Sequence, residues 1–260
     1  MANSIETYGD TAVCKAILSR NYNEVGREFI DDQVTRIRPF AFYECTAIDK
    51  ISCPNATYID RQAMSGCTAT DVEFDWNHIT RIDFKAFYGT SAASANATTQ
   101  RTLNLSALVT VGESAFSNQA AYTAPTPLEH VSAPLLASVP NSCFRNQTGL
   151  ITAMFAIGKP SGASVFEGCT SLQKVRLGGE LTALQSRMFY GDTALDTLIL
   201  DGVTAVPTLG NSNSFQGTKI EAKTGYIYVP RNLISGFQTA TRWSAYNYRA
   251  IEDYPGLLTG

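Results

Sequence analysis

Apolar residues in this chain recur in a fixed phase rather than at helical spacing. The clearest copy of the pattern runs from Leu184 to Leu200. Leu184 and Phe189 form an apolar pair five positions apart, residues 190–193 make a short polar turn, and Leu195, Leu198 and Leu200 then arrive as L-x-x-L-x-L. Side chains alternate along a strand, so Leu198 and Leu200 fall on one side of an extended segment. One such unit cannot bury its own apolar face and has to be stacked on copies of itself.

The copies are present. Ile37 precedes Phe42, Ile59 precedes Met64, Ile82 precedes Phe87, Val111 precedes Phe116 and Val139 precedes Phe144, each by five positions. Two anchors depart from this: Phe166 has Ser161 at that offset, and Phe215 has Gly210, next to Leu209. The anchors at 42, 64, 87, 116, 144, 166, 189 and 215 step by 22, 23, 29, 28, 22, 23 and 26 residues. The strand pattern follows at Ile48/Ile51/Cys53, Leu128/Val131/Ala133, Leu150/Ala153/Phe155 and Leu172/Val175/Leu177. A period near 22 falls within the roughly 20–29 residues of a leucine-rich repeat. A helical protein would instead place apolar residues three and four apart over ten or more positions.

The predicted fold is an α/β repeat solenoid: a stack of short parallel strands with an irregular, turn-rich opposite side and helical caps at both ends. Residues 1–33 read as an N-terminal helical cap and first strand, 34–230 as about eight repeats, and 231–260 as a C-terminal helical cap and tail. Ser4 as N-cap and Ile5, Val13, Ala16 and Ile17 as a partial apolar stripe predict a helix over 4–19, followed by a strand at 25–30. Tyr226–Pro230 reads as the last strand, because Pro230 cannot donate to a further ladder. Residues 233–250, with Phe237, Trp243, Tyr246 and Ala250, read as the closing helix. Caps are required because a bare end repeat exposes apolar surface.

The run Ile37-Arg38-Pro39-Phe40-Ala41-Phe42-Tyr43-Glu44-Cys45, continued to Ile48 and Ile51, resembles the BspA-type leucine-rich repeat, I-x-x-x-A-F-x-x-C-x-x-L-x-x-I. The resemblance covers roughly residues 34–254. It implies kinship with surface proteins of host-associated bacteria, some protozoan parasites and some phage-related proteins, whose characterised members are adhesins for host proteins. Such a resemblance carries the fold further than the ligand.

Bulk properties narrow the function. With 20 basic and 23 acidic residues there is no basic excess to pair with phosphates, so nucleic acid is not an expected partner. No apolar run approaches the roughly 18 residues of a membrane span. Residues 1–19, with Glu6 and Asp10, lack the basic start and apolar block of a secretory signal. The expected location is extracellular or cell-surface with a signal removed, or alternatively a virion. Cys45, Cys67 and Cys169 share one repeat position three after the anchor, and Cys53 and Cys143 occupy others. They read as small buried residues, with Cys45 and Cys67 near enough in neighbouring repeats for a disulfide.

No catalytic constellation is present, and no enzyme activity, cofactor or metal is expected. The two histidines, His78 and His130, have no second histidine at metal spacing, and there is no C-x-x-C, G-x-S-x-G or G-x-G-x-x-G. Gly158-Lys159 is followed by Pro160, so it is no phosphate loop. Asp71-x-Glu73-x-Asp75 puts three carboxylates on one strand face, but Trp76 stands where a calcium loop needs glycine, so a solvated acidic face is expected.

The residues between the inward L-x-L positions form the candidate binding surface. They run from Lys50, Ser52, Asp71, Glu73 and Asp75, through Thr102, Asn104, His130, Ser132, Thr152 and Met154, to a basic and aromatic end. Arg and aromatic residues dominate interface energetics. Lys174, Arg176, Thr197, Ile199, Tyr226 and Tyr228 are therefore the candidate ligand-binding residues. Insertions at 90–100 and 119–127 fall at one phase between anchor and strand, and Tyr122 is the large side chain they offer. The expected function is non-catalytic binding or adhesion to a host-derived protein or surface glycan, without membrane insertion; the alternative is a phage tail or virion component.

Overall fold

Each repeat is too short to hold a core of its own, so its apolar side chains are satisfied only between neighbours. The computed structural model describes residues 3–5, 22–23, 27–46, 48–69, 71–89, 101–118, 128–157 and 159–258. All eight anchors, from Phe42 to Phe215, are buried in one continuous core. From Phe87 onward the rings of Phe116, Phe144, Phe166, Phe189 and Phe215 form a single column, with successive centroids 5.3 to 5.7 Å apart. Ring pairs at such distances add about 0.5–1.5 kcal/mol beyond their buried area. Where Phe166 and Phe215 lack an apolar residue five before, Pro160 and Leu209 are buried one position earlier and supply it.

The strands in chain order are β1 (Asn3–Ile5), β2 (Tyr22–Asn23), β3 (Glu28–Ile30), β4 (Val34–Ile37), β5 (Lys50–Ser52), β6 (Tyr58–Ile59) and β7 (Asp71–Glu73). They continue as β8 (Arg81–Ile82), β9 (Thr102–Asn104), β10 (Thr110–Val111), β11 (His130–Ser132), β12 (Ser138–Val139), β13 (Thr152–Phe155) and β14 (Lys159–Pro160). The rest are β15 (Lys174–Leu177), β16 (Ala183–Leu184), β17 (Thr197–Ile199), β18 (Thr208–Leu209), β19 (Tyr226–Val229) and β20 (Tyr248–Ala250).

Three sides of the stack carry backbone ladders. The L-x-L side forms a four-stranded sheet, β2-β3-β5-β7, and a seven-stranded sheet, β9-β11-β13-β15-β17-β19-β20. The side just before each anchor forms β1-β4-β6-β8-β10 and the pairs β12-β14 and β16-β18. Among the described residues, β2 against β3 is the one antiparallel pair. The third side, around the anchor, has no strand, yet it is bonded as regularly. Gln62, Met64 and Gly66 N–H donate to Phe84, Ala86 and Tyr88 carbonyls at 2.8 to 3.0 Å, and Lys85, Phe87 and Gly89 do the same to Glu113, Ala115 and Ser117.

That turn ladder explains a repeated strain. The residue two before the anchor is left-handed in seven repeats: Phe40, Gln62, Lys85, Ser114, Ser142, Ser164 and Arg187 have φ of 52° to 61°. None is glycine, and each costs roughly 1 kcal/mol or more. Inter-repeat bonds over-determine them. Two after the anchor, where Gly168 has φ 79°, a Cβ would lie 2.5 Å from Asn146 Oδ1, which explains glycine there.

Helical caps do not form among the described residues. Residues 3–5, predicted to open a helix over 4–19, instead pair parallel with β4, whose edge would otherwise present unpaired backbone groups; the remainder of that span lies outside the described residues. At the other end α1 spans only Ile234–Thr239. Extended Ala240 and left-handed Arg242, φ 67°, end the helical path. Tyr248–Ala250 then adds a strand to β19, so Tyr226–Pro230 is not the last one. Trp243 does close the array: it is buried against Phe215 at 6.0 Å and Phe237 at 5.2 Å, and its indole N–H donates to Pro207 O at 2.6 Å.

The position three after the anchor holds buried thiols at Cys45, Cys67 and Cys169, and Cys45 and Cys67 form no disulfide. Burial pushes the Cys67 thiol up to about 12, and those of Cys53, Cys143 and Cys169 upward as well, which keeps them protonated and inert. Asp192 occupies the same position as these cysteines, fully buried, with Oδ1 accepting from Cys169 N–H at 2.8 Å and Oδ2 unpartnered. Burial holds its carboxyl well above the usual range.

Candidate binding face

Parallel register turns the outward positions of the seven-stranded sheet into two straight rows. One is Thr102, His130, Thr152, Lys174, Thr197 and Tyr226; the other is Asn104, Ser132, Met154, Arg176, Ile199 and Tyr228. The six strand residues predicted to bind a ligand are thus neighbours. Tyr122 and both insertions lie outside the described residues.

The end of that face is not free. After β20 the chain crosses back over it through residues 251–258, and Ile199 and Tyr228 become 0% and 6% exposed beside Ile251, Leu257 and Leu258. Tyr254 meets the Tyr228 ring edge-on at 5.2 Å, and the Arg249 guanidinium lies 3.6 Å from the Tyr226 ring centre. Arg176 forks onto Asp201 at 3.2 and 2.7 Å and donates to Leu258 O at 3.4 Å. Ile199 and Tyr228 are therefore core of a small second cluster rather than open contact residues, because outward apolar side chains were covered by the nearest available chain. Lys174 stays half-buried, its ammonium pKa lowered by burial and then by Arg176.

The open part of the face lies over β9, β11 and β13. Thr102, Asn104, His130, Ser132, Thr152 and Met154 line a groove of about 520 Å³, closed at one end by Arg176 and Leu258. This is within the size range of ligand sites, roughly 300–1,000 Å³. His130 Nδ1 lies 2.8 Å from Thr152 Oγ1. The lining offers hydroxyls, an amide, an imidazole and a thioether but no carboxylate or thiol, so it can hold a ligand by hydrogen bonds and dispersion while lacking a paired acid and base. Sequence reasoning ranked these residues below the aromatic end; their polarity was the signal that they stay exposed.

The acidic end is partly compensated. Lys50 Nζ reaches Asp71 at 3.2 Å and Glu73 at 2.8 Å, and His78 Nδ1 meets Asp75 at 2.6 Å. The hydrogen bond from Lys50 lowers the Glu73 carboxyl, and that from His78 lowers Asp75. Among the described residues no three His, Cys, Asp or Glu side chains cluster as a metal site, and no helix is long and apolar enough to cross a membrane.

This architecture defines a leucine-rich-repeat-like solenoid, a class in which stacked repeats serve as extended binding scaffolds. The family described as BspA type leucine rich repeat region matches residues 22–151 and 95–222 in six copies, and the chain belongs to that family. No curated protein sequence matches it. Solved structures similar to it include a leucine-rich repeat protein from Bacteroides ovatus, 15% identical, with 86% of this chain and 82% of that one covered and a TM-score of 0.32. A leucine rich cell surface protein from Faecalibacterium prausnitzii is 16% identical over 88% and 80% of the two chains, with a TM-score of 0.34. Pneumococcal vaccine antigen PcpA is 12% identical over 86% and 84%, with a TM-score of 0.36.

Proposed function

We propose that this protein is a non-catalytic binding or adhesion protein, acting at a cell surface or outside the cell, that engages a host protein or surface glycan through the open half of its seven-stranded sheet. The observation that carries this reading is the groove over β9, β11 and β13, where Thr102 and Asn104 are exposed and His130, Ser132, Thr152 and Met154 half-exposed, while Ile199 and Tyr228 farther along the same face are covered. Family membership supports the surface location and the binding role. Arg176 and Lys174 then border the contact, and Tyr226, partly buried under Arg249, lies at its far margin. The virion alternative gains no support from any feature of the fold.

The test is a screen of the purified chain against immobilised host surface proteins and a glycan array. A binder whose affinity falls at least ten-fold for Met154→Glu, with an unchanged melting temperature, supports the reading. A binder indifferent to Met154→Glu and Ser132→Glu would move the site off this groove.

A further inference from the structure

The strand face is interrupted at one place. β7 pairs with β5 and β9 pairs with β11, but no ladder joins β7 to β9. The other two sides of the same two repeats remain closed. Arg81 and Ile82 pair with Thr110 and Val111, and Lys85, Phe87 and Gly89 N–H donate across at 2.8 to 3.0 Å. The stack is opened as a wedge, on one side only. At the break the inward row runs on past Val72: Phe74 and Trp76 are also buried and pack against Phe87, at 6.4 and 5.6 Å between ring centres.

The walls of the wedge carry unused backbone groups. Asp71 N–H donates to Asp49 O and Glu73 O accepts from Cys53 N–H, each at 2.9 Å, so both residues face β5. Alternation then points the Val72 and Phe74 peptide groups toward β9. On the opposite wall Arg101 O accepts from His130 N–H at 2.9 Å and Leu105 N–H donates to Ser132 O at 2.8 Å, which leaves Thr102 and Asn104 facing β7. Between them is a cavity of about 340 Å³, bordered by residues 74–77 on one side and by Arg101, Thr102 and Asn104 on the other. Trp76 lines it at 5% exposure, and its indole N–H has no acceptor among the described residues. A buried donor left unpaired costs about 1–3 kcal/mol.

We propose that this gap is a strand-insertion site, taking an extended polypeptide segment of a partner between β7 and β9. Two facing walls that present N–H and C=O at alternate residues require an occupant with the same groups on both of its edges. An extended peptide repeats them at the strand spacing of both walls; a lipid chain has none, and sugar hydroxyls do not repeat at that spacing. The entering segment restores the interrupted sheet and brings carbonyls within reach of the Trp76 N–H. Recognition is mainly through the main chain, and it is separate from the groove over β9, β11 and β13.

The probe is a phage-displayed library of random heptapeptides, with enriched sequences resynthesised. The expected result is saturable binding that falls at least ten-fold when two central peptide nitrogens are methylated, which deletes donors and leaves side chains alone. Thr102→Pro, which removes an N–H that no native ladder uses, and Trp76→Phe each weaken binding at least ten-fold at unchanged melting temperature, while Met154→Glu leaves it unaltered. Should Thr102→Pro fail to fold, Trp76→Phe and the methylated peptides still decide. No enrichment over a control protein, or equal affinity for methylated peptides and for both variants, overturns the proposal.

Discussion

The two ends of the seven-stranded sheet are built on one alternating pattern, yet only one of them is a surface. Over β17 and β19 the outward residues include Ile199, Tyr226 and Tyr228, and residues 251–258 fold down upon them. Over β9, β11 and β13 they are Thr102, Asn104, His130, Ser132, Thr152 and Met154, and nothing covers them among the described residues. The side chains best suited to anchor a partner are also the best suited to hold the chain's own tail. Outward apolar residues in a repeat array therefore indicate that something is buried there, without saying what.

The strongest way to break the contrast is Tyr228→Ala. Removing this buried ring from between Ile199, Ile251 and Tyr254 is expected to cost about 3 kcal/mol in denaturant unfolding and to expose residues 251–258 to protease. Next in size is Asp192→Cys, which places at this position the residue that Cys45, Cys67 and Cys169 hold, in the core beneath the covered half. A carboxyl whose folded pKa is raised contributes fully below its unfolded value, near 3.9, and loses that contribution as pH rises toward the folded value. The variant should match the wild type near pH 4 and exceed it by about 2 kcal/mol at pH 7, measured as midpoint shifts across pH.

Glu167 acts with the opposite sign. Burial works to raise its carboxyl, but the Arg187 and Ser164 hydrogen bonds and the Arg145 charge outweigh it and hold it down at about 2. Its contribution is present above about pH 4.5 and is lost as pH falls toward 2, so Glu167→Gln should flatten the acid limb of the stability profile. A smaller effect follows from Arg176→Gln, which unhooks Leu258 and should cost about 1.5 kcal/mol while widening the groove. Smallest is Thr152→Ala in the open half, which removes a half-buried hydroxyl paired with His130 and is expected to cost about 1 kcal/mol or less by thermal melt.

The repeat itself was legible because the interior imposes it. Every rung must deliver a large apolar side chain to one column, so Phe116, Phe144, Phe166 and Phe189 announce themselves by spacing. Contacts between distant segments were not legible. Nothing local to Ile199 or Tyr228 reveals that residues 251–258 return to them. The ends also defied local reading: residues 3–5 and Tyr248–Ala250 became strands because open edges of β4 and β19 supplied partners, which no propensity encodes.

The phenylalanine column has a geometric consequence for the whole body. Its centroids advance 5.3 to 5.7 Å per rung, whereas hydrogen-bonded strands advance about 4.8 Å. Because the turn ladder around the anchors holds the backbone at the same hydrogen-bonded spacing, the excess is taken up by the rings sliding over one another, nearly parallel at 3° to 6°, in the offset stacking that aromatic pairs prefer. Lengthening the array by whole repeats would therefore extend the column one slipped ring at a time, without changing the spacing of the rungs.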